Sequence, residues 1–266
     1  MKRSGKERAD VRLVALGLAE SRERARALLL SGRVYLGEQR IDKAGTLLSA
    51  DAALRLQGGG LPFVSRGGLK LLRALECFAL DPTGLTVVDV GASTGGFTDC
   101  LLQHGAARVF AVDVGRGQLH AKLRDDARVV VMEGVNARHL QPSDLPAAAD
   151  WAVIDASFIS LTKLLPAVRR LLAPAGVVLA MVKPQFEVGR AQVGRGGVVR
   201  DAVLRQAAVD DVAAAAAVLG LSEQGRCESG VPGPKGNREV FLWLQVEGRA
   251  CIEGQEPSLE LGHMVE

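Results

Sequence analysis

Short apolar runs alternate with helical patterns along most of the chain, and this order predicts an α/β fold. Runs rich in β-branched residues indicate buried parallel strands, because such strands are covered on both faces. They cover residues 86–90, 109–113, 129–133, 150–158 and 176–184, and a last strand starts at Val240. Helices are expected from Gly67, from Thr98, over 161–172, and from an Asp201 cap to about Leu219.

The first 57 residues have a different pattern, which predicts a separate small α+β domain. Helical spacing covers 11–18 and 22–30, and Ser21 is a good N-cap for the second helix. Short strand-like pieces follow at 34–36, 40–41 and 53–56. A glycine-rich linker at 58–64 then leads into the α/β domain at 65–247, and an acidic, loosely held tail is expected at 248–266.

Composition places the chain among folded soluble proteins. Of 266 residues, 48% are hydrophobic and 24% charged, and no apolar run approaches the roughly 18–20 residues that span a bilayer. The N-terminus is basic without an apolar segment, so a signal peptide is not expected. The four cysteines are scattered without a C-x-x-C pair, which argues against a zinc site. We expect a monomeric cytoplasmic protein with no metal and no membrane contact.

The positive charge is concentrated at the N-terminus. Residues 1–60 hold 12 Lys and Arg against 7 Asp and Glu, out of 33 and 30 in the whole chain. The remaining residues therefore hold 21 against 23. A basic module on a near-neutral chain indicates a polyanionic partner such as nucleic acid, with a solvated basic surface as the alternative.

A glycine-rich turn after the first α/β strand is the main binding signal. It spells neither G-x-G-x-x-G nor a phosphate loop, so a ligand with a ribose and an amino-acid tail, S-adenosylmethionine, fits better than a dinucleotide. Asp113 ends the next strand, where acids commonly hold ribose hydroxyls, and Asn136 could contact a base edge. A tight turn with no ligand is the alternative. The candidate cofactor-binding residues are Asp89, Gly91, Ser93, Thr94, Gly95, Gly96, Phe97, Asp113 and Asn136.

Four charged residues are expected at the same edge of the sheet: Asp155 and Lys183 at neighbouring strand ends, Lys70 on a preceding helix and Glu239 before the last strand. A hydroxyl acceptor needs a general base, and Lys183 is the candidate. A free lysine, with a pKa of about 10.4, is a poor base at neutral pH. Burial and the cation of Lys70 would favour the neutral amine. A structural cluster of ion pairs is the alternative.

The N-terminal pattern resembles a known RNA-binding domain. Arg8, Asp10 and Leu13, then Ser21-Arg22 with Ala25 and Leu29, then Gly32, Val34 and Gly37 are similar to the ribosomal-protein-S-four type. The resemblance implies a helix-turn-helix face and a small sheet laid against structured RNA. The candidate RNA-binding residues are Arg8, Arg12, Arg22, Arg26, Arg33 and Arg66.

The α/β motifs together closely resemble the TlyA family, bacterial 2′-O-ribose rRNA methyltransferases with an FtsJ-like catalytic domain. They are Ser65 to Lys70, Gly91 to Thr98, Asp155 to Leu161, Lys183 to Glu187, Gly196 to Asp201 and Gly233 to Glu239. The resemblance implies a seven-stranded Rossmann-like domain, a ribosomal RNA cytidine as substrate, and a catalytic Lys-Asp-Lys-Glu tetrad at Lys70, Asp155, Lys183 and Glu239. A non-catalytic ribosome-assembly factor is the alternative. Members are often named hemolysins, but no apolar span or secretion signal supports lysis.

Overall fold

The computed structural model describes residues 6–57, 62–194, 196–233 and 236–247. Contacts divide the chain into two compact units, Met1–Pro62 and Phe63–Glu266. The expected acidic tail at 248–266 lies outside the described residues, as do positions 58–61 of the expected linker.

The first unit is a small α+β domain with two helices and two short sheets. Its helices are α1 (Ala9–Ala15) and α2 (Arg22–Leu30), and its strands are β1 (Lys6–Arg8), β2 (Val34–Leu36), β3 (Gln39–Ile41), β4 (Leu47–Ser49) and β5 (Leu54–Leu56). Strands β1 and β4 form one sheet, and β3, β2 and β5 form the other in that order.

Local sequence explains the helices of this unit. The Ser21 hydroxyl accepts a hydrogen bond from the Arg24 amide at 3.1 Å, so Ser21 is the N-cap of α2, as predicted. Helix α1 lies earlier than the expected 11–18, and it buries Leu13 against Leu29 and Val34 in the core of this unit. Strands β1 and β4 were not predicted: β1 consists of three charged residues, and β4 buries only Leu48.

The second unit is built on a seven-stranded sheet. Its strands are β6 (Thr86–Val90), β7 (Arg108–Asp113), β8 (Val129–Glu133), β9 (Ala149–Ile154), β10 (Leu172–Val182), β11 (Leu221–Glu228) and β12 (Val240–Val246). The spatial order is β11-β12-β10-β9-β6-β7-β8, and β12 is antiparallel to both of its neighbours while the other pairs are parallel. The predicted α/β fold is confirmed.

The strand order reverses between β6 and β9. From β6 the chain moves outward to β7 and β8, and it then returns to place β9 on the other side of β6. In open α/β sheets, ligands bind in the crevice at the carboxyl ends of the strands beside such a reversal. The residues that follow Val90 and Ile154 therefore lie where a ligand is expected.

Helices cover both faces of this sheet. They are α3 (Arg66–Phe78), α4 (Gly96–Gln103), α5 (Ala121–Arg124), α6 (Leu165–Leu171), α7 (Pro184–Glu187) and α8 (Ala202–Val218). One apolar cluster joins α3 and α4 to the sheet through residues such as Leu71 and Leu101, and a second joins α6 and α8 through Leu165 and Val212. No helix in the described ranges is long and apolar enough to cross a membrane.

Several boundaries differ from the sequence expectation. The helix expected over 161–172 is a 3₁₀ turn, Leu161–Lys163, followed by the shorter α6. Strand β9 stops at Ile154, and β10 ends at Val182 because Pro184 begins α7. Strand β11 was missed, since it is an edge strand that is mostly polar and buries only Leu221 and Cys227 among its eight residues.

Candidate active site

The glycine turn after β6 lies directly beside the loop after β9. Gly91 has φ +85°, and a Cβ at this position would lie 2.8 Å from the Asp155 carbonyl oxygen. Both the backbone conformation and the close approach therefore require glycine. The Asp155 amide in turn donates to the Val90 carbonyl at 3.0 Å. These contacts hold the two loops together at the carboxyl edge of the sheet.

Asp89 lies behind this turn, and its carboxylate contacts other parts of the protein. It is fully buried, and one carboxylate oxygen accepts from the Thr98 amide at 2.9 Å and the Thr98 hydroxyl at 2.6 Å. Burial raises the pKa of Asp89 to about 7, against the opposing effect of the Thr98 hydroxyl. Among the described residues its Oδ1 atom has no hydrogen-bond partner. Asp89 thus joins β6 to the first turn of α4.

Three clefts meet at the strand reversal. The first has a volume of about 470 Å³, the second about 230 Å³ and the third about 450 Å³. Gly91, Ser93 and Asp155 line all three. A ligand in any one cleft therefore reaches the same junction, which would allow two bound molecules to meet there.

The first cleft contains two of the predicted cofactor residues from neighbouring strand ends, Asp113 and Asn136. The Asp113 carboxylate accepts from the Ser93 amide at 2.8 Å and from the Gly115 amide at 2.7 Å. An ionised carboxylate has about four acceptor sites, so two remain for hydroxyl groups. Asn136 accepts from the Arg138 amide at 3.1 Å, and its Nδ2 group has no hydrogen-bond partner among the described residues.

The second cleft contains most of the glycine turn: Gly91, Ser93, Thr94, Gly96 and Phe97 line it together with Arg66 and Lys70. Gly95 does not line this cleft, because it is buried as the N-cap residue of α4. Helix α3 packs so closely on α4 that a Cβ at Gly96 would lie 2.9 Å from the Gly68 amide nitrogen. Arg66 was grouped with the RNA-binding residues on sequence grounds, but it lies beside the candidate cofactor residues.

The third cleft brings together Lys70, Asp155, Lys183 and Glu239. Asp155 follows β9 and Lys183 follows its neighbour β10, so parallel pairing places the two side chains at the same edge. Lys183 Nζ is 2.5 Å from Asp155 Oδ1, an ion pair that is not aligned as a hydrogen bond. The Lys183 side chain is only 9% exposed. A nearly buried ammonium paired with one carboxylate is an uncommon and costly arrangement, which favours a functional role.

Lys70 and Glu239 form a second ion pair in the same cleft. Lys70 Nζ donates to Glu239 Oε2 at 2.5 Å, and the two side chains are 10% and 2% exposed. The contact joins α3 to the segment just before β12. Because Glu239 neutralises Lys70, the expected repulsion between Lys70 and Lys183 is weaker than the sequence alone suggested.

Three further polar residues in this cleft, Ser157, Gln185 and Asn237, were quoted within motifs but given no role on sequence grounds. Ser157 Oγ accepts from Lys183 Nζ at 2.9 Å. Asn237, nearly fully buried, donates from Nδ2 to the Gly197 carbonyl at 2.8 Å and accepts at Oδ1 from the Val199 amide at 3.0 Å. Asn237 therefore fixes the loop before α8 against the loop that carries Glu239. The presence of polar residues inside these motifs was the signal in the sequence that could have identified them.

In the first unit, three predicted RNA-binding arginines share one carboxylate. Arg8 donates to Asp10 Oδ1 at 2.9 Å, while Arg22 and Arg26 donate to Oδ2 at 3.2 and 3.4 Å. Asp10 is fully buried, and the hydrogen bond from Arg8, followed by that from Arg22, holds the pKa of its carboxyl well below the usual range. The arginine side chains remain 44–55% exposed. The cluster has a net formal charge of +2.

Arg12 and Arg33 lie in other environments. Arg12 donates to the Ala52 carbonyl at 3.0 Å and pairs with Glu7 at 3.3 Å, and its side chain is only 17% exposed. Arg33 donates to the Gln57 carbonyl at 3.4 Å. The structure thus groups Arg8, Arg22 and Arg26 but not the other predicted arginines.

Comparison with known proteins gives consistent matches. Residues 63–246 match the family described as FtsJ-like methyltransferase, and residues 7–54 match the S4 domain. The chain is 46% identical to YqxC of Bacillus subtilis, named as a candidate rRNA methyltransferase, over 99% of this chain and 94% of the relative. It is also 46% identical to the 16S/23S rRNA (cytidine-2′-O)-methyltransferase TlyA of Mycobacterium tuberculosis, over 90% of each chain. A solved structure of a hemolysin-named protein from Streptococcus thermophilus is 43% identical, with a TM-score of 0.73, 91% of this chain covered and 89% of that chain.

Proposed function

The chain belongs to the FtsJ-like methyltransferase family and has an S4 domain at its N-terminus, and from this we propose that it methylates the ribose 2′-hydroxyl of a cytidine in ribosomal RNA with S-adenosylmethionine. The curated TlyA relative supplies the substrate class, since its name specifies cytidine-2′-O-methylation of 16S and 23S rRNA. The proposed division is an RNA-binding domain at 1–57, a linker at 58–64, a methyltransferase domain at 65–247 and a tail at 248–266.

The junction of the three clefts at Gly91, Ser93 and Asp155 is the observation that carries this proposal. S-adenosylmethionine has an adenosine part and an amino-acid tail on either side of its sulfur, and the acceptor must approach from a third direction. The first two clefts fit the two parts of the cofactor, and the third fits the target nucleotide. An in-line displacement requires such convergence.

The residues of the first two clefts fit the cofactor chemically. The two free acceptor sites of Asp113 suit the pair of ribose hydroxyls, and the unpaired Nδ2 of Asn136 suits a base edge. The glycine turn allows the backbone to approach the ligand closely. S-adenosylmethionine supplies a methyl group on a positively charged sulfur, so the protein has to orient the acceptor and receive its proton.

Lys183 is the proposed proton acceptor. Its nitrogen lies in the third cleft, paired with Asp155 and nearly closed off from solvent. As a neutral amine it would take the proton of the 2′-hydroxyl: the O–H bond breaks, an N–H bond forms, and Asp155 stabilises the resulting ammonium. Lys70 and Glu239, paired with each other in the same cleft, position the ribose.

The N-terminal unit is proposed to bind RNA phosphates. Arg8, Arg22 and Arg26 are about half exposed and are held in a fixed arrangement by Asp10. Fixed guanidinium groups recognise phosphates well, because little side-chain entropy is lost on binding. Removal of residues 1–60, a net charge of +5, is expected to weaken RNA binding and reduce its salt dependence.

Mapping of 2′-O-methyl groups tests the function. Ribosomal RNA from cells without the gene should lack one or more cytidine 2′-O-methyl groups, and the wild-type gene should restore them. Lys183→Arg should not restore them, because a guanidinium cannot accept the proton at neutral pH. Lys163→Arg, at an exposed lysine outside the clefts, is the matched control and should restore them. An identical methylation map with and without the gene would refute the proposal.

A further inference from the structure

The Lys183 nitrogen has a defined set of partners. Asp155 Oδ1 lies at 2.5 Å, Ser157 Oγ at 2.9 Å and the Asp155 carbonyl oxygen at 3.5 Å. All three oxygen atoms belong to the loop after β9, and the carbonyl and the hydroxyl are the hydrogen-bond acceptors. The short segment from Asp155 to Ser157 therefore determines the direction in which the amine can face.

The Ser157 contact matters because it limits the direction of the lone pair when the Lys183 amine is neutral. An ammonium has three N–H donors, whereas the neutral amine that accepts a proton has two N–H donors and one lone pair. If the Asp155 carbonyl oxygen and the Ser157 hydroxyl accept the two N–H groups, the lone pair occupies the remaining position. Without Ser157 the amine can rotate about its last carbon–nitrogen bond, and the lone pair loses its direction.

Ser157 is placed to connect the two binding regions. It lines both the first and the third cleft, so the residue lies between the region proposed for the cofactor and the region proposed for the target ribose. Lys183 Nζ, held by this hydroxyl, lies at the same boundary. The unoccupied direction on the amine is then available to the ribose hydroxyl.

The part of the loop that follows Ser157 has contacts of its own with α7. Phe158 has φ +65°, unusual for an aromatic residue, and its ring centre lies 5.2 Å from that of Phe186 on α7. The Ser160 hydroxyl donates to Glu187 at 2.6 Å, and the Leu161 amide donates to the same carboxylate at 3.0 Å. Burial raises the pKa of Glu187. The loop is thus attached to the helix that immediately follows Lys183.

We infer that Ser157 is a positioning residue that orients the Lys183 amine so that its lone pair faces the ribose hydroxyl. This inference rests on the proposed function, in which Lys183 accepts the proton. Ser157 does not itself take the proton. Its hydroxyl can accept from the amine before the transfer and from the ammonium after it, whereas an alanine can do neither.

Ser157→Ala in the full chain is the direct test. The assay is single-turnover methylation of ribosomal subunits isolated from cells without the gene, with methyl-labelled S-adenosylmethionine at saturating concentration. Loss of a hydrogen bond to a charged group should lower the plateau rate about 10- to 100-fold. The midpoint of the rate–pH profile should move to lower pH, since the ammonium loses an acceptor. Asp155 and the Lys70–Glu239 pair, the other charged groups facing this cleft among the described residues, are unchanged in the variant.

Two further variants separate orientation from a structural effect. Ser157→Thr keeps the hydroxyl and should return the rate to within about threefold of wild type, with the original midpoint. Ser160→Ala loosens the same loop without touching Lys183, so it should leave the midpoint unchanged. Cofactor affinity by calorimetry and the melting temperature should stay near wild type in all three variants.

The possible results distinguish this inference from the function on which it rests. Wild-type rate and midpoint in Ser157→Ala, with Lys183→Arg inactive, would overturn the role of Ser157 and leave the proposed function intact. An equal shift of the midpoint in Ser160→Ala would also overturn it, because loop mobility would then explain the effect. If the wild-type protein methylates no ribose, both proposals fail.

Discussion

Removing one partner of the Lys70–Glu239 ion pair should destabilise the second unit strongly. The two charges are 2.5 Å apart and their side chains are 10% and 2% exposed, so solvent screens them little. Glu239→Ala would leave the ammonium of Lys70 buried without its carboxylate. Loss of one partner from a buried pair typically costs about 3–5 kcal/mol. We expect a decrease of that size in the free energy of unfolding.

Urea unfolding of the full chain, followed by tryptophan fluorescence, measures this effect. The chain has two tryptophans, Trp151 in β9 and Trp243 in β12, so the signal reports the second unit. The exposed pair Arg238–Glu228, with side chains 65% and 66% exposed, supplies the control. Glu228→Ala should change the stability by no more than about 0.5 kcal/mol. A cost below about 1 kcal/mol for Glu239→Ala would show that water solvates the Lys70 charge and would refute the reasoning.

A double replacement separates stability from function at this pair. Lys70→Met combined with Glu239→Met removes both charges and fills a similar volume, which should restore most of the stability lost in Glu239→Ala. Methylation should remain lost, because neither side chain can then position the ribose. Restored methylation in the stable double variant would assign the pair a structural role only.

Three other predictions concern the remaining charged groups. Lys183→Arg should abolish single-turnover methylation with nearly unchanged cofactor affinity, whereas Lys163→Arg should behave like wild type. Asp113→Ala should weaken S-adenosylmethionine binding by about tenfold or more in calorimetry, because charged hydrogen bonds are worth roughly 1.5–3 kcal/mol; unchanged affinity would mean that this carboxylate only holds the Ser93 and Gly115 amides. The pKa of Asp10 is lower in the folded than in the unfolded state, so its ionised carboxylate stabilises the fold fully above the unfolded-state pKa of about 3.9, and this stability is lost as the pH falls through the folded-state pKa. Asp10→Asn should therefore reduce the slope of the unfolding free energy against pH on the acid side. An unaltered slope would contradict this prediction.

The parallel strands could be predicted because their pattern is local. A strand such as β6, buried on both faces, has to be apolar over its length, and the Asp201 cap and the alanine-rich run identify α8 directly. Strand β11 could not be predicted in the same way. It is polar because it lies at an edge, and it is a strand only because its backbone pairs with β12.

The four charged residues of the candidate site were grouped mainly through resemblance, since their pairing is non-local. Lys70 and Glu239 are separated by 169 positions, and no periodicity connects them. The contact of three arginines with the Asp10 carboxylate was missed for a related reason. The resemblance named Arg22 and Arg26 as candidate RNA-binding residues but gave no information about a buried carboxylate from α1 that contacts both.

The position of the proposed chemistry follows from main-chain pairing. Val90 pairs with Ile154 in the register of β6 and β9, so Gly91 and Asp155 leave the sheet side by side. Gly91 has no side chain to push the Asp155 loop away, and this is what allows the three clefts to share one junction. Because β10 pairs with β9 in parallel, Lys183 emerges beside Asp155. The location of the proposed proton acceptor relative to the proposed cofactor cleft is therefore set by the register of three neighbouring strands. In the proposed mechanism, Ser157 and the Lys70–Glu239 pair set its orientation and surroundings.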